Sequence, residues 1–207
     1  MNYLSLLGWS PKDNTEMLPV AELIERFDLP GVQRANARFD MAKLDWLNFE
    51  HIRALSPDDF KSQALGQLQA AGLDPASRDA DFTAAALALC TDKIKNLNDV
   101  VGYIGFFFRE DVALDAEAAA QALTPENKPH LAALREAYAD LAKFDADTLM
   151  ETLKATAAPR EVKNKVLVMP ARVACTGSKV GPSLYHLMEV LGQAEVVKRF
   201  DAALAGM

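Results

Sequence analysis

The stretch from Glu161 to Gly192, EVKNKVLVMPARVACTGSKVGPSLYHLMEVLG, decides the fold. Val162, Val166, Met169 and Val173 recur at intervals of 4, 3 and 4 residues, the spacing of one helix face. Pro170 lies inside that pattern and predicts a kink or a break, because proline has no amide donor and crowds the preceding turn. Thr176-Gly177-Ser178-Lys179-Val180-Gly181-Pro182 cannot prolong a helix, and its glycines and proline predict a shaped turn. A second helix restarts near Ser183, with Leu184, Leu187, Met188 and Leu191 facing inward. The polar side is basic. Between Pro159 and Phe200 stand Arg160, Lys163, Lys165, Arg172, Lys179, Lys198 and Arg199, against Glu161, Glu189 and Glu195. Seven cations less three carboxylates give +4, in a chain whose net charge is −7. A helical hairpin of that kind suits a phosphate or RNA surface. The same charges also read as an ordinary solvated face.

Working outward, 207 residues suit one large domain or two small ones, and a chain that is 50% hydrophobic can bury a core. Alanine and leucine are abundant and alternating β-branched runs are few, which predicts an all-α fold. The acidic total argues against a wholesale nucleic-acid coat but leaves room for a local basic face. Cys90 and Cys175 are far apart and sit in helical patterns, so they read as small buried hydrophobes in a reducing, cytoplasmic setting. The longest apolar run, Val100 to Phe108, has nine residues, and a membrane-spanning helix needs about twenty.

Toward the amino terminus, apolar residues at Tyr3, Leu4, Leu6 and Leu7 end at Gly8. A short helix from about Pro19 to Phe27 places Val20, Leu23, Ile24 and Phe27 on one side. This opening has a core-like pattern but little length in which to bury it. Asp40 is a good helix N-cap, and Ser56-Pro57-Asp58-Asp59 is a helix start with Pro at the first position. Asp79 or Asp81 opens the next helix, and Leu87, Cys90, Ile94, Leu97 and Val101 extend it as the most regular stripe in the chain. Lys93, Lys95 and Asn96 fall off that stripe, toward solvent or a ligand. Phe106-Phe107-Phe108 reads as core filling, since three adjacent rings cannot all face one groove. Ala113 to Leu123 forms an alanine-rich helix, Thr124-Pro125-Glu126 caps the next, and Asp145 or Asp147 opens another.

Catalytic signatures are missing from this reading. His51, His130 and His186 have no partner at metal-ligand spacing, and Gly177-Ser178-Lys179 does not meet the phosphate-loop spacing. The residues point to a binding module that does no chemistry alone.

Three groups of residues resemble bacterial glutamyl-tRNA synthetase in the part after its catalytic domain. One is Asn2-Tyr3-Leu4 through Leu7-Gly8-Trp9-Ser10, with Glu22-Leu23-Ile24 and Phe27-Asp28-Leu29. Another is Ala37-Arg38-Phe39-Asp40, with Lys43-Leu44, Trp46, Asn48 and Ile52-Arg53. The third is Arg172-Val173-Ala174, Thr176-Gly177, Pro182, Leu184 and Leu191-Gly192. The resemblance implies a helical stem-contact segment over residues 1–55. It also implies two anticodon-binding helical subdomains, at 56–115 and 116–207, forming a cage. The partner it implies is tRNA, for glutamate, with a separate catalytic domain and no membrane. Cofactors are expected to be absent here, since ATP and magnesium belong to the catalytic domain whose signatures this sequence lacks. The chain is then a fragment or a free-standing relative, and the alternative is a helical protein-interaction domain that no longer binds RNA.

Site residues follow from the same resemblance. Lys93 matches a position where relatives use arginine to read the third anticodon base, and lysine offers a point charge in place of a planar fork. Arg172 matches an arginine that meets the anticodon loop, and Gly181, Pro182 and Leu184 match the turn that packs on the first anticodon base. The basic stretch read from the sequence itself adds Arg160, Lys163, Lys165 and Lys179 as the cations expected on the phosphates.

Overall fold

A computed structural model describes residues 1–33 and 36–207. The described chain is helical: α1 (Asn2–Leu6), α2 (Val20–Arg26), α3 (Met41–Arg53), α4 (Pro57–Ala70), α5 (Ala80–Ala88), α6 (Asp99–Ile104), α7 (Ala116–Ala122), α8 (Lys128–Ala139), α9 (Ala146–Ala157), α10 (Lys165–Thr176), α11 (Leu184–Leu191) and α12 (Gln193–Gly206). An antiparallel bridge between Trp9 and Val32 is the extended pairing among the described residues. No helix among them is long and apolar enough to cross a membrane.

Capping side chains set several starts. Asp40 accepts from the amides of Ala42 and Lys43, Ser56 from Asp59, Asp79 from Phe82, and Asp145 from Thr148. Each satisfies amides that the first helical turn leaves without a partner. The start at Thr124-Pro125-Glu126 differs from expectation. Those residues form a turn, and α8 begins at Lys128 after Asn127, which makes no side-chain cap.

One buried cluster runs from Ile52 to Ala203, across the expected boundary at 115/116. Phe106, Phe107 and Phe108 all lie in it, as core filling requires. Tyr138 anchors the middle, its hydroxyl donating to the Leu149 carbonyl at 3.0 Å. Gln193 closes the end of α8. Its amide nitrogen donates to the carbonyls of Tyr138, Ala139 and Leu141 at 2.8, 3.0 and 3.0 Å. Those of Tyr138 and Ala139 are carbonyls that the end of α8 strands. Gln193→Ala is expected to lower unfolding stability by about 1–2 kcal/mol, read from the urea midpoint at unchanged slope.

Two helical readings need correction. The stripe from Leu87 to Val101 is not one helix, because α5 stops at Ala88 and residues 89–98 form turns. Side chains supply the reason. Thr91 donates to the Leu87 carbonyl, Asp99 accepts from the Asn96 amide, and Asn96 accepts from the Asn98 amide. Such local bonds compete with the helical ladder. Cys90 and Ile94 remain buried, so the spacing marked the inward residues but not the backbone. In α10 Val173 is fully buried as the spacing requires, and Leu167, Ala171 and Ala174 are buried with it, while Val166 and Met169 are only half-buried. Counting large apolar residues overlooked the alanines. The helix runs unbroken through Pro170.

The first 46 residues pack differently. Their buried apolar cluster is small: Trp9, Leu18 and Leu23, with Leu6 beside it. Of the residues placed on one side of the helix expected from about Pro19 to Phe27, Leu23 is buried and Val20, Ile24 and Phe27 are exposed. Of the twelve exposed large hydrophobic side chains described, ten lie between Met1 and Trp46.

Candidate nucleic-acid interface

The turn from Gly177 to Ser183 is built rather than loose. Gly177 ends α10 in the left-handed region, φ +77°, with its amide donating to the Val173 carbonyl at 2.8 Å. Thr176 folds the exit back, its hydroxyl donating to the Arg172 carbonyl and accepting from the Ser178 amide. The Ser178 hydroxyl in turn accepts from the Val180 amide. These short polar side chains give a glycine-containing turn a single shape.

Arg172 lies under that turn. Its Nη1 donates to the Pro182 carbonyl at 2.7 Å, and an ideal Cβ on Gly181 would sit 3.6 Å from the same nitrogen. The guanidinium is half-buried, with Tyr103 and Cys175 as its polar neighbours, and burial lowers its pKa from the ordinary arginine value. Among the described residues it has no carboxylate partner. A half-buried cation with unused N–H donors is an uncompensated feature and a natural anion or base-edge contact. Lys165 stands seven residues earlier, almost two full turns. It therefore shares Arg172's face of α10, about 10 Å along the axis.

The other expected cations divide. Arg160 donates to the Thr156 carbonyl at 3.0 Å, closing the end of α9. Lys163 is exposed in the irregular link before α10. Arg160, Lys163, Lys165 and Lys93 take no part in the ion pairs described. Lys179 points elsewhere: its ammonium is 2.7 Å from Glu117 and 3.1 Å from the Gln121 side-chain oxygen, both on α7. Lys198 pairs with Glu195 at 3.7 Å. Arg199, counted with the basic face, is 3% exposed and belongs to the interior. Of the seven cations Arg199 thus leaves the surface, while Lys179 and Lys198 stay on it with their charges paired.

The turn residues also divide. Pro182 and Leu184 are buried and support the turn from inside, whereas Gly181 is partly open. Val180 at the tip is 74% exposed, and sequence spacing gave it no role. Lys93 sits apart from the hairpin. It lines a cleft of about 430 Å³ with Ala42, Asp45, Trp46, Phe49 and Lys95. Lys95 is held 3.8 Å from Asp45, and Trp46 is 42% exposed. Two lysines beside two aromatic rings form a second cationic and aromatic surface. Trp46 and Phe49 went unnoticed as site residues because the segment around Lys93 gives no hint in sequence that its turns fold back on α3.

Among the described residues, no group of three or more His, Cys, Asp or Glu stands where it could hold a metal ion. The geometry offers recognition by shape and cations.

Comparison with known proteins places this surface in context. Residues 52–204 match the family model described as anticodon binding domain. The chain is 38% identical over 204 residues to glutamate–tRNA ligase 2 of Koribacter versatilis, covering 98% of this chain and 42% of that one. It is 39% identical over 199 residues to the glutamate–tRNA ligase of Akkermansia muciniphila, covering 96% and 44%. A crystal structure of a glutamate tRNA ligase from Elizabethkingia meningosepticum superposes with a TM-score of 0.80 at 27% identity, covering 99% of this chain and 40% of that one. The chain therefore spans well under half the length of the relatives it matches.

Proposed function

We propose that this chain, which belongs to the anticodon-binding-domain family and matches the carboxy-terminal part of glutamate–tRNA ligases, binds the anticodon arm of a tRNA for glutamate. The observation that carries the reading is Arg172: half-buried, without a carboxylate partner among the described residues, and fixed beside Gly181 by its bond to Pro182. Unstacked bases would lie against the Val180–Gly181 turn and meet the remaining guanidinium donors. Lys165, Lys163 and Arg160 would follow the phosphates, and Lys93 with Trp46 would meet the same RNA from the α3 side. Under this reading the division at residues 1–55, 56–115 and 116–207 separates stem contact from two anticodon-binding subdomains. Under the same reading aminoacylation, with its ATP and magnesium, would be the work of a catalytic domain separate from these residues.

Fluorescence titration against tRNA for glutamate, at two salt concentrations, tests the reading. Arg172→Met is expected to weaken binding about 10- to 100-fold, the loss of one or two charge-assisted hydrogen bonds. Lys165→Met is expected to flatten the salt dependence by about 0.7 log units per log unit of salt. Absence of wild-type binding at low salt would overturn the reading and favour the protein-interaction alternative.

A further inference from the structure

The turn that Arg172 supports from one side is held from the other by a segment the resemblance did not single out. The Asp115 amide donates to the Gly177 carbonyl at 2.9 Å. Two residues further on, Glu117 accepts from Lys179 at 2.7 Å, and Gln121 closes a triangle by donating to Glu117 at 3.0 Å and accepting from Lys179 at 3.1 Å. Ala118 and Ala122, on the inner side of the same helix, pack against Val173 of α10. So α7 touches the hairpin at its helix, its corner and its loop.

We propose that Glu117 is a positioning residue for the recognition turn, and that Lys179 is its latch rather than a phosphate contact. This rests on the RNA-binding reading above and assigns a role within it. A carboxylate this near an RNA-facing turn would repel phosphate unless its charge were met. Lys179 meets it, and the pairing holds the Glu117 carboxyl below its usual range. One ion pair fixes the turn and removes the repulsion together. The Lys179 pair is partly open to water, so its effect on the turn is modest.

Charge reversal separates latch from contact. Lys179→Met and Glu117→Gln are each expected to weaken tRNA binding about 2- to 5-fold, the range of an exposed ion pair, with the salt slope unchanged. The swap Glu117→Lys with Lys179→Glu is expected to restore affinity to within about 2-fold. Amide hydrogen exchange at Ser178 to Gly181 should rise in both single variants and return in the swap, without RNA present. If Lys179 instead touches phosphate, Lys179→Met flattens the slope by about 0.7 and the swap binds worse than either single variant. Either result overturns the latch. Unchanged exchange in the single variants overturns it too. A wild-type chain that binds no tRNA overturns the recognition role itself, and that arm is read separately.

Discussion

Replacing Gly177 with alanine is expected to destabilise the chain by about 3–5 kcal/mol, one of the two largest single-site effects expected. Two costs add. The backbone at Gly177 holds φ +77°, where a side chain is strained. A Cβ built there would also overlap the Ala113 carbonyl oxygen, and the nearest atoms are backbone rather than a yielding side chain. The segment that would have to move is tied down by the Asp115 amide, which donates to the Gly177 carbonyl itself. A control is built into the molecule. Gly72 has φ +76° with nothing within 4 Å of its ideal Cβ. Gly72→Ala is therefore expected to cost only about 1 kcal/mol, the conformational part alone. Urea unfolding of the two variants measures the difference, and equal losses would mean that the approach of residue 113 contributes nothing.

Arg199→Met is expected to cost a similar amount, about 3–5 kcal/mol, with an unfolding midpoint lower by roughly 8–15 °C. The side chain is 3% exposed and ties three elements together. Its Nε donates to Glu195 at 2.7 Å, Nη1 to the Cys175 carbonyl at 2.6 Å, and Nη2 to the Phe106 carbonyl at 3.0 Å. Methionine would fill most of the volume while leaving two carbonyls and a carboxylate without their donor. Arg199→Lys should recover little, since a single ammonium cannot span three acceptors set around a planar fork. Differential scanning calorimetry on the three proteins checks both statements. A lysine variant as stable as wild type would show that charge, not the fork, matters at this position.

Arg199 also shows where the sequence could have been read better. It lies three residues after Val196 and four before Ala203, inside the stripe that α12 buries. A cation on an apolar stripe is a signal, and adding it to a surface charge count hid that. The capping residues were legible because the cap is local: Asp40, Ser56, Asp79 and Asp145 each act within a few positions of themselves. The partner of Lys179 was not, since Glu117 lies 62 positions away and only the packing of α7 on α10 brings the two together. The break at residues 89–98 was missed for a related reason, as hydrophobic spacing is kept by inward residues even where Asn96, Asn98 and Asp99 turn the backbone out of the helix.

The exposed hydrocarbon of the first 46 residues has a consequence of its own. Leu29 is 80% exposed, Ile24 73% and Leu4 61%. Removing such a side chain from water is worth about 1.5–3 kcal/mol when complete. The segment that carries them thus holds a reserve of transfer free energy that its own small cluster does not draw on.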